Sequence, residues 1–167
     1  RPSISVVIEI DGLKNLVQNP SFTLFLCNPK PKIQAPNLPN IYKLRSKTDL
    51  TSLSISLAKA YRNINRSKKN RICLEIVSDV LITHKAEATR RWISELITDL
   101  SSKGFTMLAV MDPEMHPQDQ SKAVINLFDG EISITQSSDQ LDCKKSILVK
   151  KLRNQDYIKN PICLLNF

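Results

Sequence analysis

Glycine is scarce in this chain of 167 residues, which holds only Gly12, Gly104 and Gly130. At the usual frequency of about 7%, a chain of this length would carry roughly twelve glycines. Loops that cradle phosphate need at least two nearby positions where bare backbone amides can close on the anion. Because no short window holds two glycines, the sequence excludes a glycine-rich nucleotide-binding loop of the GxxxxGK or GxGxxG kind.

The chain also has no long apolar run and no paired cysteine motif. Without eighteen consecutive apolar residues or a leader pattern, we expect a cytoplasmic protein with no membrane partner. The four cysteines lack metal-type spacing, so we expect reduced thiols and no metal site. The length fits one domain over residues 1–167, and a start at Arg1 rather than Met leads us to expect the C-terminal part of a longer chain.

Short β-branched runs alternate with helical patterns along the sequence. Continuous apolar stretches such as ICLEIV and MLAVM predict strands that are covered on both faces. The predicted strands are SISVVIEI (3–10), FTLFLC (22–27), IYKLR (41–45), RICLEIV (71–77), FTMLAVM (105–111), EISIT (131–135), KSILVKKL and ICLLNF (162–167).

Four segments predict helices. One begins at Leu50 with Thr48 or Asp49 as its cap, and one runs from Lys85 to Lys103 and stops at Gly104. Two more are predicted over about 118–128 and 12–17. This alternation predicts an α/β fold with a mainly parallel sheet flanked by helices on both faces, and the last two strands form an antiparallel hairpin at one edge.

Positive charge is concentrated in the first half of the chain. Residues 1–70 hold twelve Lys or Arg and three acids, and the net charge of the whole chain is +8. The densest stretch, 59–71, has no acid and could bind nucleic acid or an acidic protein surface, or could simply be a solvated helix end. Its cations are Lys59, Arg62, Arg66, Lys68, Lys69 and Arg71.

Acidic side chains lie near the predicted carboxyl ends of two strands. Glu75 is placed within the strand RICLEIV and Asp79 just past it, where open α/β sheets bind ligands. Either carboxylate could hold Mg²⁺, and the alternative is that Asp79 orders the loop while Glu75 pairs with a cation. After the next strand, Asp112, Glu114 and His116 predict a helix-initiating loop in preference to an acid–base site.

Three cations follow one another near the end of the chain. Lys150, Lys151 and Arg153 are predicted on one strand, with Lys151 and Arg153 on the same face because strands have a period of two. Together they could clamp a phosphate from a neighbouring subunit, or they could guard a strand edge against pairing.

A family resemblance is carried by three blocks that follow in order. They are RICLEIVSDVLITHKAEATRRWISELITDLSSKGFTMLAVMDPEMHP, INLFDGEISI and VKKLRNQ. Over roughly residues 40–160 the chain resembles the KaiC-like branch of the RecA-superfamily ATPases, and it is similar to archaeal KaiC-like proteins of unassigned role. The resemblance implies a RecA-like core.

The resemblance also implies roles for single residues. Glu75 falls where the family has its Walker B acid, although Ile76 follows it where Ser or Thr is usual. Lys151 and Arg153 match the K-x-R pair that reaches the γ-phosphate of the neighbouring subunit in KaiC-like hexamers. Where the family has its phosphate loop, residues 9–14 read EIDGLK, with one glycine, two carboxylates and no Ser or Thr for the metal.

These observations together predict a RecA/KaiC-like domain whose nucleotide site is dismantled. We expect no ATP or Mg²⁺ cofactor, no catalysis by the chain alone, and a role in protein association or regulation through a protein partner or a homo-oligomer. Two alternatives stay open, namely a contribution in trans of Lys151 and Arg153 to hydrolysis at a partner's phosphate loop, and nucleic-acid binding through 59–71.

Overall fold

The computed structural model describes residues 19, 22–27, 39–62, 70–136 and 145–164. The predicted strand 3–10, the predicted helix 12–17 and the phosphate-loop position 9–14 lie outside these residues. The described elements are β1 (Leu24–Cys27), β2 (Ile41–Leu44), α1 (Leu50–Tyr61), β3 (Asn70–Leu74), α2 (Val77–Ser102), β4 (Phe105–Ala109), a 3₁₀ turn (Pro113–Met115), α3 (Gln118–Ile125), β5 (Gly130–Gln136), β6 (Lys145–Leu152) and β7 (Ile162–Cys163).

The chain divides into two compact units, 1–116 and 117–167. In the first unit β1 pairs in parallel with β2, and β3 pairs in parallel with β4. In the second unit β5, β6 and β7 form an antiparallel sheet in that order. The predicted mixed α/β class and the antiparallel pairing at the C-terminal end are confirmed. A single RecA-like sheet stays a prediction, because the described strands form two separate parallel pairs.

Helix α1 follows from its cap and its apolar spacing. Asp49 is the N-cap, and its carboxylate accepts hydrogen bonds from the Ser52 backbone N–H at 3.0 Å and from the Ser52 hydroxyl at 2.6 Å. Leu53, Leu57 and Ala60 are buried at helical spacing on one face. The predicted helix start and one of its two candidate caps are therefore confirmed.

Helix α2 contains a break at Lys85, whose φ of 61° and ψ of 174° are not helical. The Thr89 side chain is fully buried, and its hydroxyl donates to the Lys85 carbonyl at 2.6 Å, which satisfies an acceptor that the break exposes. Beyond the break, Trp92, Ile93 and Leu96 are buried on one face, as predicted. Gly104 ends the helix with a φ of 75°, which confirms the predicted stop.

Two predictions about β3 and β4 were wrong. Strand β3 ends at Leu74, and Val77 already begins α2, because residues 77–84 form a helical segment that the run of β-branched residues concealed. The strands are also not covered on both faces, since Leu108 on β4 and Val110 just after it are 55% and 46% exposed.

The cysteines are of two kinds. Cys27 and Cys73 are free thiols, as predicted. Cys163 at the end of β7 is disulfide-bonded, so the prediction of reduced cysteines was wrong for this residue. Nothing in the spacing of the cysteines distinguished Cys163 from the other three.

None of the helices in the described ranges is both long enough and apolar enough to cross a lipid bilayer.

Candidate functional site

Three segments that follow strands are tied together at the carboxyl ends of the parallel pairs. Lys47, just after β2, lies 2.5 Å from the Asp79 carboxylate in the first turn of α2. Lys47 also lies near Cys27 at the end of β1, where burial raises the pKa of the thiol and the lysine charge partly offsets that rise. Asp79 is therefore the partner of a cation of the same chain, and its loop-ordering role stays a prediction.

The second link at this edge joins α2 to the segment after β4. Ser78 is buried, and its hydroxyl oxygen accepts the backbone N–H of Asp112 at 3.0 Å. The Asp112 carboxylate in turn accepts the Glu114 N–H at 3.1 Å and caps the 3₁₀ turn. The predicted helix-initiating loop at 112–117 is confirmed in this respect. Within the described residues, no group of His, Cys, Asp and Glu side chains could hold a metal ion.

Glu75 lies outside β3, not within it as predicted. The strand ends at Leu74, whose carbonyl accepts the N–H of Val110, and Glu75 is the exposed residue that follows. The next residue, Ile76, is buried and caps α2 without a side-chain hydrogen bond. Burial and, to a lesser degree, the Glu75 carboxylate raise the pKa of the Cys73 thiol. Glu75, which the resemblance matches to the family's Walker B acid, thus lies just after a strand end, with the apolar Ile76 beside it where the family has Ser or Thr.

The basic segment is only partly described. Lys59 lies in the last turn of α1, Arg62 follows it, and Arg71 is exposed on β3. The other predicted members, Arg66, Lys68 and Lys69, lie outside the described residues. Nucleic-acid binding by this segment therefore stays a prediction.

Tyr61, the one aromatic ring in the basic segment, is already engaged by the chain. Its ring centroid lies 5.1 Å from that of Phe105, and the Lys103 ammonium lies 5.0 Å from the centroid. The hydroxyl is buried and has no hydrogen-bond partner within the part of the chain that the structure describes, and burial raises the pKa of the phenol. A base could stack on this ring only by displacing these contacts.

Lys151 and Arg153 meet at the turn that precedes β5. The Lys151 ammonium donates to the Phe128 carbonyl at 2.8 Å, and the Arg153 guanidinium lies 3.1 Å from the Asp129 carboxylate. The Arg153 backbone N–H also donates to the Asp129 carbonyl at 2.7 Å. Arg153 follows the last residue of β6, Leu152, so placing it on the strand was wrong. Each cation therefore contacts the turn at 128–129, Lys151 from β6 and Arg153 from the residue that follows the strand.

Gly130 explains how this turn comes so close to β6. An added Cβ at this position would lie 3.1 Å from Cδ1 of Leu152 and 3.4 Å from the Lys151 carbonyl oxygen. A glycine therefore suits the close approach of the turn to the strand that carries the two cations.

Two residues of these sites were missed from the sequence. Lys47 was counted only as part of a basic N-terminal half, and Asp129 only as part of a turn. No periodic pattern identifies either one, because each pairs with a residue 24 or more positions away. The Asp-Gly pair at 129–130 was the one local signal, since it marks a tight turn next to a strand.

Most of the chain matches the sequence model of a known protein family. The sequence model of the family described as "ATPase: KaiC" matches residues 28–164, well over half of the chain. A search of curated proteins finds no significant match. The matched span includes both the segment with Glu75 and Asp79 and the segment with Lys151 and Arg153.

Proposed function

Since the chain belongs to the KaiC family of ATPases, we propose that it is a RecA-like domain that does not hydrolyse ATP on its own and acts by associating with another protein. The proposed occupant of its binding surface is another KaiC-family chain that has an intact phosphate loop. In this proposal residues 1–167 form one domain, with one mainly parallel sheet.

The lack of catalysis is supported by the residues that would have to hold nucleotide. Residues 9–14 carry two carboxylates and one glycine, which would repel a triphosphate instead of surrounding it with amides. Asp79 is neutralised by Lys47, and Glu75 has Ile76 beside it in place of a hydroxyl that could help to bind a metal.

The observation that best supports association with another protein is an apolar face on the antiparallel sheet. Directly opposed residues in an antiparallel pair share a face, and the register pairs Ile132 with Val149 and Ile134 with Ile147. Ile147 is also paired with Ile162 on β7. Three strands therefore place five β-branched residues side by side, and Ile132 and Ile134 are 57% and 69% exposed.

The opposite face of the same sheet is more polar. Thr135 and Ser146 are opposed there, and their hydroxyl groups lie 2.8 Å apart in a hydrogen bond. Ser133 is on this side as well, two residues from Thr135. An antiparallel sheet with one polar and one apolar face normally has its apolar face packed, so the exposed isoleucines favour coverage by a partner.

The choice of a KaiC-family partner comes from the position of the two cations. Lys151 lies two residues after Val149 on β6, and Arg153 follows two residues later. The strand that contributes to the apolar face therefore also leads into the K-x-R pair. The register shift beside Glu131 pairs Lys151 with Glu131 and Val149 with Ile132, so Lys151 lies on the face opposite to the isoleucines, and a partner with an intact phosphate loop would reach the cations around the end of β6.

The experiment measures association and hydrolysis separately. We expect the purified chain to show no ATP turnover, and to sediment with a KaiC-family ATPase that has an intact phosphate loop. Thr keeps a β-branched shape but removes apolar surface, so the double variant Ile132→Thr/Ile134→Thr should weaken this association. Ile55→Thr is the matched control, because Ile55 is also exposed but lies on α1.

Two results would contradict the proposal. ATP turnover by the chain alone that Glu75→Gln abolishes would show an active site of its own. Association that survives the double variant unchanged, or that Ile55→Thr weakens equally, would show that the sheet face is not the surface used.

A second function is favoured by the placement of Lys151 and Arg153 beside one turn. In this proposal the two cations act in trans and stabilise the phosphate charge that develops during hydrolysis at the partner's site. Addition of the chain should raise the partner's turnover, and Arg153→Ala should remove that increase. Lys150→Ala is the control, since Lys150 lies on the same strand but is paired with Glu131 at 3.1 Å. No change in turnover on adding the chain would refute this function.

A further inference from the structure

The Arg153 guanidinium already has an anionic partner within its own chain. Its Nη1 lies 3.1 Å from Oδ1 of Asp129, and the backbone N–H of Arg153 fixes the two residues together by donating to the Asp129 carbonyl at 2.7 Å. Both side chains are exposed, Arg153 by 56% and Asp129 by 76%. A ligand from solution can therefore reach the pair and compete for the guanidinium.

We propose that Asp129 is an autoinhibitory competitor, which occupies Arg153 until a phosphate group replaces the carboxylate. This proposal rests on the second function given above, because it concerns the availability of the arginine that acts in trans. Guanidinium groups bind carboxylate and phosphate through the same N–H fork, so the two anions compete for the same donors. A phosphate carries more negative charge than one carboxylate, so it competes for the guanidinium more strongly than a singly charged anion does.

Lys151 is held differently, which makes the competition specific to arginine. Its ammonium donates to the neutral Phe128 carbonyl at 2.8 Å. An incoming phosphate would replace a neutral acceptor at Lys151, and it would replace a charged one at Arg153. The pair is thus one available cation beside one cation that must exchange its partner.

The size of the effect follows from the exposure of the ion pair. Exposed pairs of this kind stabilise by about 0.2–1 kcal/mol, which corresponds to roughly a 1.5- to 5-fold change in an equilibrium constant. Removal of the Asp129 charge also relieves repulsion between that carboxylate and the incoming anion. Both effects have the same sign, so loss of the carboxylate should strengthen phosphate binding.

The test titrates the purified chain with sodium tripolyphosphate and follows binding by NMR, with arginine side chains labelled with ¹⁵N. Asp129→Asn should bind the probe about two- to fivefold more tightly than the unaltered chain. Glu131→Gln is the matched control. It also removes one carboxylate charge, but from the nearby ion pair with Lys150 and not from the pair with Arg153. The double variant Asp129→Asn/Arg153→Ala should lose the gain.

The predicted outcome is a gain, which a damaged fold would not produce. Equal or weaker binding by Asp129→Asn, no detectable binding by it, an equal gain in Glu131→Gln, or a gain that persists without Arg153 would each overturn the proposal. The proposed function in trans fails separately, if tripolyphosphate binding behaves as described but the chain leaves the partner's ATP turnover unchanged.

Discussion

The Lys47 ammonium and the Asp79 carboxylate lie 2.5 Å apart and join the segment after β2 to the first turn of α2. The next residue makes a second connection, since the Thr48 carbonyl accepts a hydrogen bond from Nε2 of His84 at 2.6 Å. Two consecutive residues therefore fasten both ends of the helical segment 77–84. This attachment supports a structural role for Asp79, which is paired with a cation of its own chain.

Replacement of Lys47 by Met tests how much the Lys47–Asp79 ion pair stabilises the fold. Both side chains are more than a third exposed, so solvent screens their attraction, and we expect a loss of about 0.2–1 kcal/mol in the free energy of unfolding. Urea denaturation of Lys47→Met, Asp79→Asn and the double variant would give the coupling energy. Independent effects that simply add would show that the two residues do not stabilise each other.

The break in α2 gives a second prediction, at Lys85. Its φ of 61° with ψ of 174° lies in a region that is nearly exclusive to glycine and costs other residues about 1–3 kcal/mol. Lys85→Gly should relieve this strain. Because glycine loses more conformational freedom on folding, the net stabilisation should be smaller than the full strain, about 1 kcal/mol. Thermal or urea unfolding would measure it.

Lys85→Ala separates backbone strain from the loss of the lysine side chain. Alanine keeps the steric penalty at positive φ, so it should not stabilise the chain. Equal stabilisation by both variants would place the effect in the side chain of Lys85 and contradict the prediction.

The local elements of the fold could be predicted from the sequence because their causes are local. Asp49 is followed by apolar residues at helical spacing, and Gly104 closes the next helix, so α1 and the end of α2 were placed correctly. Residues 77–84 were not, because IVSDVLI has the composition of a strand. Long-range contacts hold it as a helix: Lys47 with Asp79, and Ser78 with Asp112.

The residues of the candidate sites divide in the same way, into those that a local pattern predicts and those that only long-range contacts identify. The sequence and the resemblance together identified Lys151 and Arg153, because the K-x-R spacing is a local pattern that needs no knowledge of the fold. The partner that controls Arg153 was not visible, since Asp129 lies 24 residues earlier and carries an ordinary turn signal. Glu75 was found but placed within β3, because apolar residues on both sides of it extend the strand pattern beyond Leu74.

The cap of α1 predicts a dependence of stability on acid pH. Hydrogen bonds from the Ser52 hydroxyl and the Ser52 backbone N–H lower the pKa of Asp49 in the folded chain. A lowered pKa means that the stabilisation is complete above the pKa of about 3.9 in the unfolded chain and is lost as the pH falls through the folded value. Wild-type chain should therefore lose stability in that window.

Asp49→Asn isolates this contribution. Asparagine is also a good N-cap but carries no ionisable carboxyl, so the variant should keep α1 and lose this part of the pH dependence. The measurement compares the urea midpoints of both proteins at pH 7 and at about pH 3. Their difference should shrink or reverse in acid; a constant difference would mean that the Asp49 charge does not stabilise the cap.

The buried hydroxyl of Tyr61 gives the last prediction. It has no hydrogen-bond partner among the described residues, and an unsatisfied buried polar group costs about 1–3 kcal/mol. Tyr61→Phe removes the hydroxyl but keeps the ring that contacts Phe105, so we expect it to stabilise the chain by about 1 kcal/mol at neutral pH.

Burial also raises the pKa of Tyr61 in the folded chain, so above about pH 10 ionisation of this tyrosine favours the unfolded chain. The advantage of Tyr61→Phe should therefore grow between pH 9 and pH 11 in urea denaturation, whereas Tyr42→Phe, at a partly exposed tyrosine on β2, serves as the control for the general effect of losing a phenol. A loss of stability in Tyr61→Phe at neutral pH would show that the hydroxyl is hydrogen-bonded in solution.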